Sequence, residues 1–119
     1  MLQFNNFEKK VIELLTFGVL SDDEREAIFT ASQFLLEDDG GAGYYLTAKH
    51  PILPTNRSVL DTPRVIGELE GVDPVGFVIF IQDGELTLEC YSWGEVDIPP
   101  DFRDRDVATR VVRIEEGKF

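Results

Sequence analysis

The dipeptide Asp83-Gly84 constrains this chain more than any other feature. Asp-Gly tolerates positive φ at both central positions, which is what a two-residue hairpin turn demands. It separates Val75–Gln82, the most apolar run in the chain, from Glu85–Trp93. With this turn, Gln82 opposes Glu85 and the register runs outward. Ile81/Leu86, Ile79/Leu88 and Phe77/Cys90 then share one face, which is almost wholly apolar and must meet a core. Phe80/Thr87, Val78/Glu89 and Gly76/Tyr91 share the other, with Trp93 beyond. Gly76 opposite Tyr91 fits an aromatic ring lying over a strand glycine.

The N-terminal third has helical spacing. Asn5 or Asn6 caps a first helix whose apolar positions are Phe7, Val11, Leu14 and Leu15, and Gly18 ends it. Ser21-Asp22-Asp23-Glu24 reads as a capping box, with its acids opposing the positive helix end. Ala27, Ile28, Ala31, Phe34 and Leu35 form the stripe of a second helix, stopped by Asp39-Gly40-Gly41.

Beyond Gly43 the period changes. Gly43–Ala48, Arg64–Glu70 and Ala108–Glu115 read as further strands, and Gly71–Pro74 as a turn. The prolines of His50–Pro63 mark a loop, and Phe102–Val107 is a loop or a turn of helix. With helices segregated from strands, the expected architecture is α+β. Two N-terminal helices pack on one face of an antiparallel sheet of four or five strands, in a single domain over residues 1–119. Phe77, Ile79, Ile81, Leu86 and Leu88 are expected to meet Phe7, Val11, Leu14, Ile28, Ala31 and Leu35.

Charge narrows the function classes. The net charge is −12, unevenly spread. Residues 19–39 hold seven acids and one base, and residues 67–101 hold nine acids and no Lys or Arg. Such a field repels nucleic-acid phosphates and membrane surfaces and attracts basic partners. A chain that is 43% hydrophobic is too apolar for a disordered acidic tail. No run of 18 apolar residues and no leader pattern is present, and Cys90 is the only cysteine, so a cytoplasmic setting is expected.

The chemistry-bearing residues are few. One His and one Cys, forty residues apart, make no metal motif, and neither a catalytic residue nor a cofactor is expected. Gly40-Gly41-Ala42-Gly43 lacks the Lys-Ser/Thr ending of a phosphate loop. Cys90 falls on the apolar face as an inert thiol. His50 reads as a loop residue. A small carboxylate-dependent enzyme, using the sheet-face acids or His50 with Asp61, is the alternative class, and a homodimeric assembly subunit joined through its sheet face is another.

The stretch from Gly76 to Leu86, continuing from Leu88 to Glu95, resembles the core hairpin of small acidic bacterial proteins, some of which resemble immunity proteins of toxin–immunity systems. The resemblance implies a protein that binds a cognate toxin. It agrees with the reading from charge: a non-enzymatic acidic inhibitor of a basic protein partner, such as a nuclease toxin. The expected partner-binding residues are Glu68, Glu70, Glu89, Tyr91, Trp93, Glu95 and Asp97, which combine carboxylates for Lys and Arg with aromatic anchors.

Overall fold

The computed structural model describes residues 3–31, 33–38, 41–94 and 97–112. Two helices, α1 (Asn6–Thr16) and α2 (Asp22–Thr30), precede the strands. Both begin with reciprocal capping boxes. The Glu8 amide donates to Asn5 Oδ1 at 3.1 Å and the Asn5 amide donates to Glu8 Oε1 at 3.0 Å. At α2 the Glu24 amide donates to Ser21 Oγ, and the Ser21 amide donates to Glu24 Oε1. Each box satisfies two donors that a helix start otherwise leaves unpaired. Past the end of α1, Gly18 takes φ +77°, the left-handed region that favours glycine.

Among the described residues the architecture is α+β with an antiparallel sheet of seven strands. They are β1 (Gln33–Asp38), β2 (Gly43–Lys49), β3 (Ser58–Leu60), β4 (Val65–Leu69), β5 (Val72–Gln82), β6 (Glu85–Ser92) and β7 (Ala108–Val111). The order is β1-β2-β6-β5-β4-β7, and β3 pairs with β5 at residues 79–81. The hairpin is the centre of the sheet, and its register matches the reading from Asp83-Gly84 at every pair from Gln82↔Glu85 to Gly76↔Tyr91. Asp83 and Gly84 both take positive φ, as the turn requires.

Five expectations are corrected. The second helix stops at Thr30, and Phe34 and Leu35 belong to β1, paired along its whole length with β2. A continuous apolar run such as Phe34-Leu35-Leu36 satisfies helical and strand spacing alike, and pairing with β2 decides. As a result Leu35 leaves the expected core and is 55% exposed. β3 forms inside the proline-rich loop, too short to show a period. β5 starts at Val72, within the expected Gly71–Pro74 turn. The β4–β5 register slips between Gly67 and Leu69, opposite Asp73-Pro74, and a bulge is where a strand accepts proline. The unread β1 and β3 account for the low strand count. Residues 113–115, expected as strand, lie outside the described residues.

The apolar hairpin face is core throughout: Phe77, Ile79, Ile81, Leu86, Leu88 and Cys90 are all buried. Phe7, Val11, Ile28 and Ala31 belong to the same apolar cluster, with Leu14 packed against it. The Phe7 ring lies 6.2 Å from Phe77 and meets Phe102 edge-on at 5.8 Å. Truncating Ile79 or Leu88 to Ala is expected to cost about 2–5 kcal/mol, from lost transfer energy plus the cavity. Thr87→Ala, which loses only a partly buried hydroxyl pair with Thr47, should cost about 0.5–1.5 kcal/mol. Urea unfolding of the three variants checks the difference, and equal losses would contradict the assignment of the faces.

Candidate functional site

The second hairpin face carries the candidate site. Strand alternation directs Tyr45, Thr47, Val78, Phe80, Thr87, Glu89 and Tyr91 to this outer side, since directly opposed residues point the same way. Glu89 stands between Tyr45 on β2 and Val78 on β5. Gly76 stands between Tyr91 and Ile66.

Gly76 organises the aromatic residues. A β-carbon there would come within 2.5 Å of Trp93 Nε1 and of Tyr91 Cζ, and within 2.6 Å of the Tyr91 hydroxyl. Both side chains therefore lie directly over the glycine, as the register implied for Tyr91. Trp93 is held further by its backbone amide, which donates to the Pro74 carbonyl at 3.0 Å. Tyr91 remains 36% exposed and Trp93 44% exposed, so the pair is seated and yet accessible. The Asp73 carboxylate lies against Gly94, the next residue along from Trp93.

The expected site residues separate into groups. Glu68, Glu89, Tyr91 and Trp93 occupy this side of the sheet. Glu68 does not present a bare carboxylate there, because Arg110 Nε of β7 donates to its Oε1 at 2.8 Å. The field over the base-free run is thus partly neutralised by a base from outside it. Glu70 is exposed at the β4–β5 turn. Asp97 sits over Gly41 and lines a groove of about 290 Å³ with Leu36, Asp38 and Tyr44, which belong to the other face of the sheet. It is therefore apart from the aromatic pair: chain proximity to Trp93 did not carry it to the same face. Glu95 lies outside the described residues. Asp73, read as a turn residue, joins the site because the strand begins earlier than spacing suggested.

The residues of the alternative, enzymatic reading are placed differently. His50 Nδ1 accepts the Ile52 amide at 3.1 Å, and Asp61 accepts from the Thr62 hydroxyl at 3.3 Å. Glu85 and Glu89 share the outer face but are four residues apart, about 13 Å along the strand. Among the described residues no three His, Cys, Asp or Glu side chains cluster as a metal site would need.

A buried polar cluster that sequence reasoning did not identify lies on the opposite side. The fully buried Glu8 carboxylate accepts from the Tyr44 hydroxyl at 2.6 Å and, in a two-pronged pair, from Arg103 Nε at 2.8 Å and a second Arg103 nitrogen at 2.7 Å. The available signal was Asn5-x-x-Glu8, a second capping box. Burial, with Cys90 and Glu8 nearby, pushes the Tyr44 phenol well above its usual range. Burial likewise pushes the Cys90 thiol up, and the hydrogen bonds to Glu8 hold Arg103 more firmly protonated.

No family model matches the chain, and no curated protein or solved structure is significantly similar to it. Among the described residues no helix is long and apolar enough to cross a membrane.

Two predictions follow from this geometry. Gly76→Ala forces Tyr91 and Trp93 off the strand. Because Trp93 is the only tryptophan, its emission should shift and its quenching by iodide rise. An unchanged spectrum would show that the rings do not rest on Gly76. The second concerns alkaline pH. Tyr44 and Cys90 keep their protons in the native protein at pH values where the unfolded chain releases them. Their stabilisation is complete below the ordinary values of 9.0 for the thiol and 10.0 for the phenol, and is lost as pH rises toward the native values. Stability should fall from about pH 9 upward, by at most about 1.4 kcal/mol per pH unit for each group. Thermal unfolding across that range measures the slope, which Cys90→Ala should flatten.

Proposed function

We propose that the chain is a non-enzymatic binding protein that captures a basic protein partner on the outer face of its sheet, as an acidic inhibitor of the immunity type. The observation that carries this reading is the Tyr91–Trp93 pair, seated on Gly76, exposed, and neighboured by Asp73 and Glu89. Aromatic residues held in one conformation lose little entropy on binding and are the residue types that most often dominate interfaces. Carboxylates around them pair with Lys or Arg and speed capture, an effect that salt weakens. In this reading α1, which contacts β4, β5 and β7, lies on the core side and the outer side is left for the partner. The reading includes a cytoplasmic setting, where Cys90 stays a thiol, and no cofactor.

The test starts with low-salt capture from a lysate and mass spectrometry, with wild type beside Trp93→Ala and Glu89→Lys. A specific basic partner should be retained by wild type and depleted by both variants. With the recovered protein, Trp93→Ala should weaken binding about 30-fold or more, the scale of an interface anchor. Glu89→Lys should slow association and reduce its salt dependence. Folded variants that bind as tightly as wild type at every salt concentration would rule out this face as the site.

A further inference from the structure

We propose that the β1 edge is a self-association site, through which two copies of this chain pair antiparallel and join their sheets into one. This goes beyond the partner-binding reading and does not depend on it.

β1 ends the strand order: β2 pairs with one side, and among the described residues no strand pairs with the other. The direction of its backbone groups follows from two hydrogen bonds. The His50 amide donates to the Gly84 carbonyl and the Ser92 amide to the Ala42 carbonyl, so even-numbered β2 residues face β6. Odd-numbered β2 residues therefore face β1. By register these are Lys49, Thr47 and Tyr45, opposite Gln33, Leu35 and Glu37. Phe34, Leu36 and Asp38 must then turn their N–H and C=O groups to the open edge.

This edge has few of the features that keep strand edges apart. It has no proline, no lysine and no break in register, and it exposes Leu35 (55%) and Leu36 (42%) on opposite faces. Its only charges are Glu37 and Asp38, at one end.

The residue pattern singles out a second copy as the occupant. A two-fold axis normal to the sheet at Leu35 sets Leu35 against Leu35 of the other copy. Phe34 then faces Leu36, and Gln33 faces Glu37. Every apolar residue of β1 meets an apolar one, and Glu37 meets an amide. Phe34 and Leu36, whose backbone groups face outward, exchange N–H···O=C bonds in both directions at each of their two pairings. Centring on Leu36 instead sets Glu37 against Leu35 and Asp38 against Phe34, and centring on Glu37 brings like charges together. The favoured register keeps both outer faces on the same side, so the dimer presents two Tyr91–Trp93 pairs on one continuous surface.

The long-range electrostatics of this contact have the opposite sign to those of partner capture. Each copy carries −12, so salt should strengthen self-association, whereas it weakens the binding of a basic protein. Sedimentation velocity over a concentration series, at low and high salt, should show monomer passing to dimer, with more dimer at high salt. Leu36→Pro removes one outward N–H and leaves the β2 pairing intact, and Leu35→Lys sets like charges together on the axis. Each should weaken the dimer about ten-fold or more, the equivalent of one good contact. In the folded wild-type background, Leu35→Cys should form a disulfide dimer under mild oxidation, because it faces itself in a close non-hydrogen-bonded pair. Glu37→Cys, displaced along the strand from its counterpart, should not. A protein that stays monomeric at every concentration and salt overturns the proposal. So does cross-linking at position 37 in preference to 35, or mass growing past the dimer, as head-to-tail pairing of β1 with β7 would give.

Discussion

The carboxylate of Glu8 holds three distant parts of the chain together. It belongs to the first turn of α1, accepts from Tyr44 on β2, and pairs with Arg103 in the 3-10 turn Phe102–Asp104. The contact is tied again from both sides, because Asn5 donates to the Arg103 carbonyl at 2.6 Å and Arg103 donates to the Gln3 carbonyl at 2.9 Å. A buried charge is costly unless its partners are well placed, and here every lone-pair direction of the carboxylate is used. Removing one member of such a pair costs about 3–5 kcal/mol, chiefly because the other is left buried and uncompensated. Among the described residues no buried side-chain nitrogen or oxygen lacks a partner. Buried ion pairs in general contribute little more net stability than apolar packing of the same volume. The cluster's bonds tie α1 to β2 and to the 102–104 turn at once.

That anchoring leaves the two sides of the sheet chemically unlike. The core side combines apolar packing, an inert thiol and one closed polar cluster. The outer side is a pleated surface where Tyr91 and Trp93 rest on Gly76 and acids stand at intervals. The glycine makes room for both rings. A side chain there would lift both rings, and without the rings a bare glycine would weaken the middle strand. Arg110 softens the field at Glu68, while Asp73 is exposed beside Gly94 and Glu89 is half-buried between Tyr45 and Val78.

How much could be read in advance depended on how local the deciding interaction was. Asp83-Gly84 specifies its own turn, and a turn specifies register, so every pair of the central hairpin and the facing of Glu89, Tyr91 and Cys90 were legible. The Ser21–Glu24 capping box was legible in the same sense, whereas the Asn5–Glu8 box, equally local, was read only as a cap at Asn5 or Asn6. Phe34-Leu35-Leu36 is the contrary case: nothing within the run separates helix from strand, and β2, which makes it a strand, comes later in the chain. Asp97 lies apart from the aromatic pair for a related reason, since nearness in sequence to Trp93 says nothing about which side of the sheet a loop returns on.

What the sequence by itself determined was the class of fold, the central hairpin with its two faces, the helix starts and the acidic field, because turn, cap and alternation act over a few residues. Tertiary structure alone decided that Glu8 would be buried against Arg103, residues 95 positions apart, that Arg110 would neutralise Glu68, and that β1 would become an open edge. Each of these depends on pairing between segments far apart in the chain. No local pattern encodes such pairing, because its free energy appears only once the intervening chain has closed the loop.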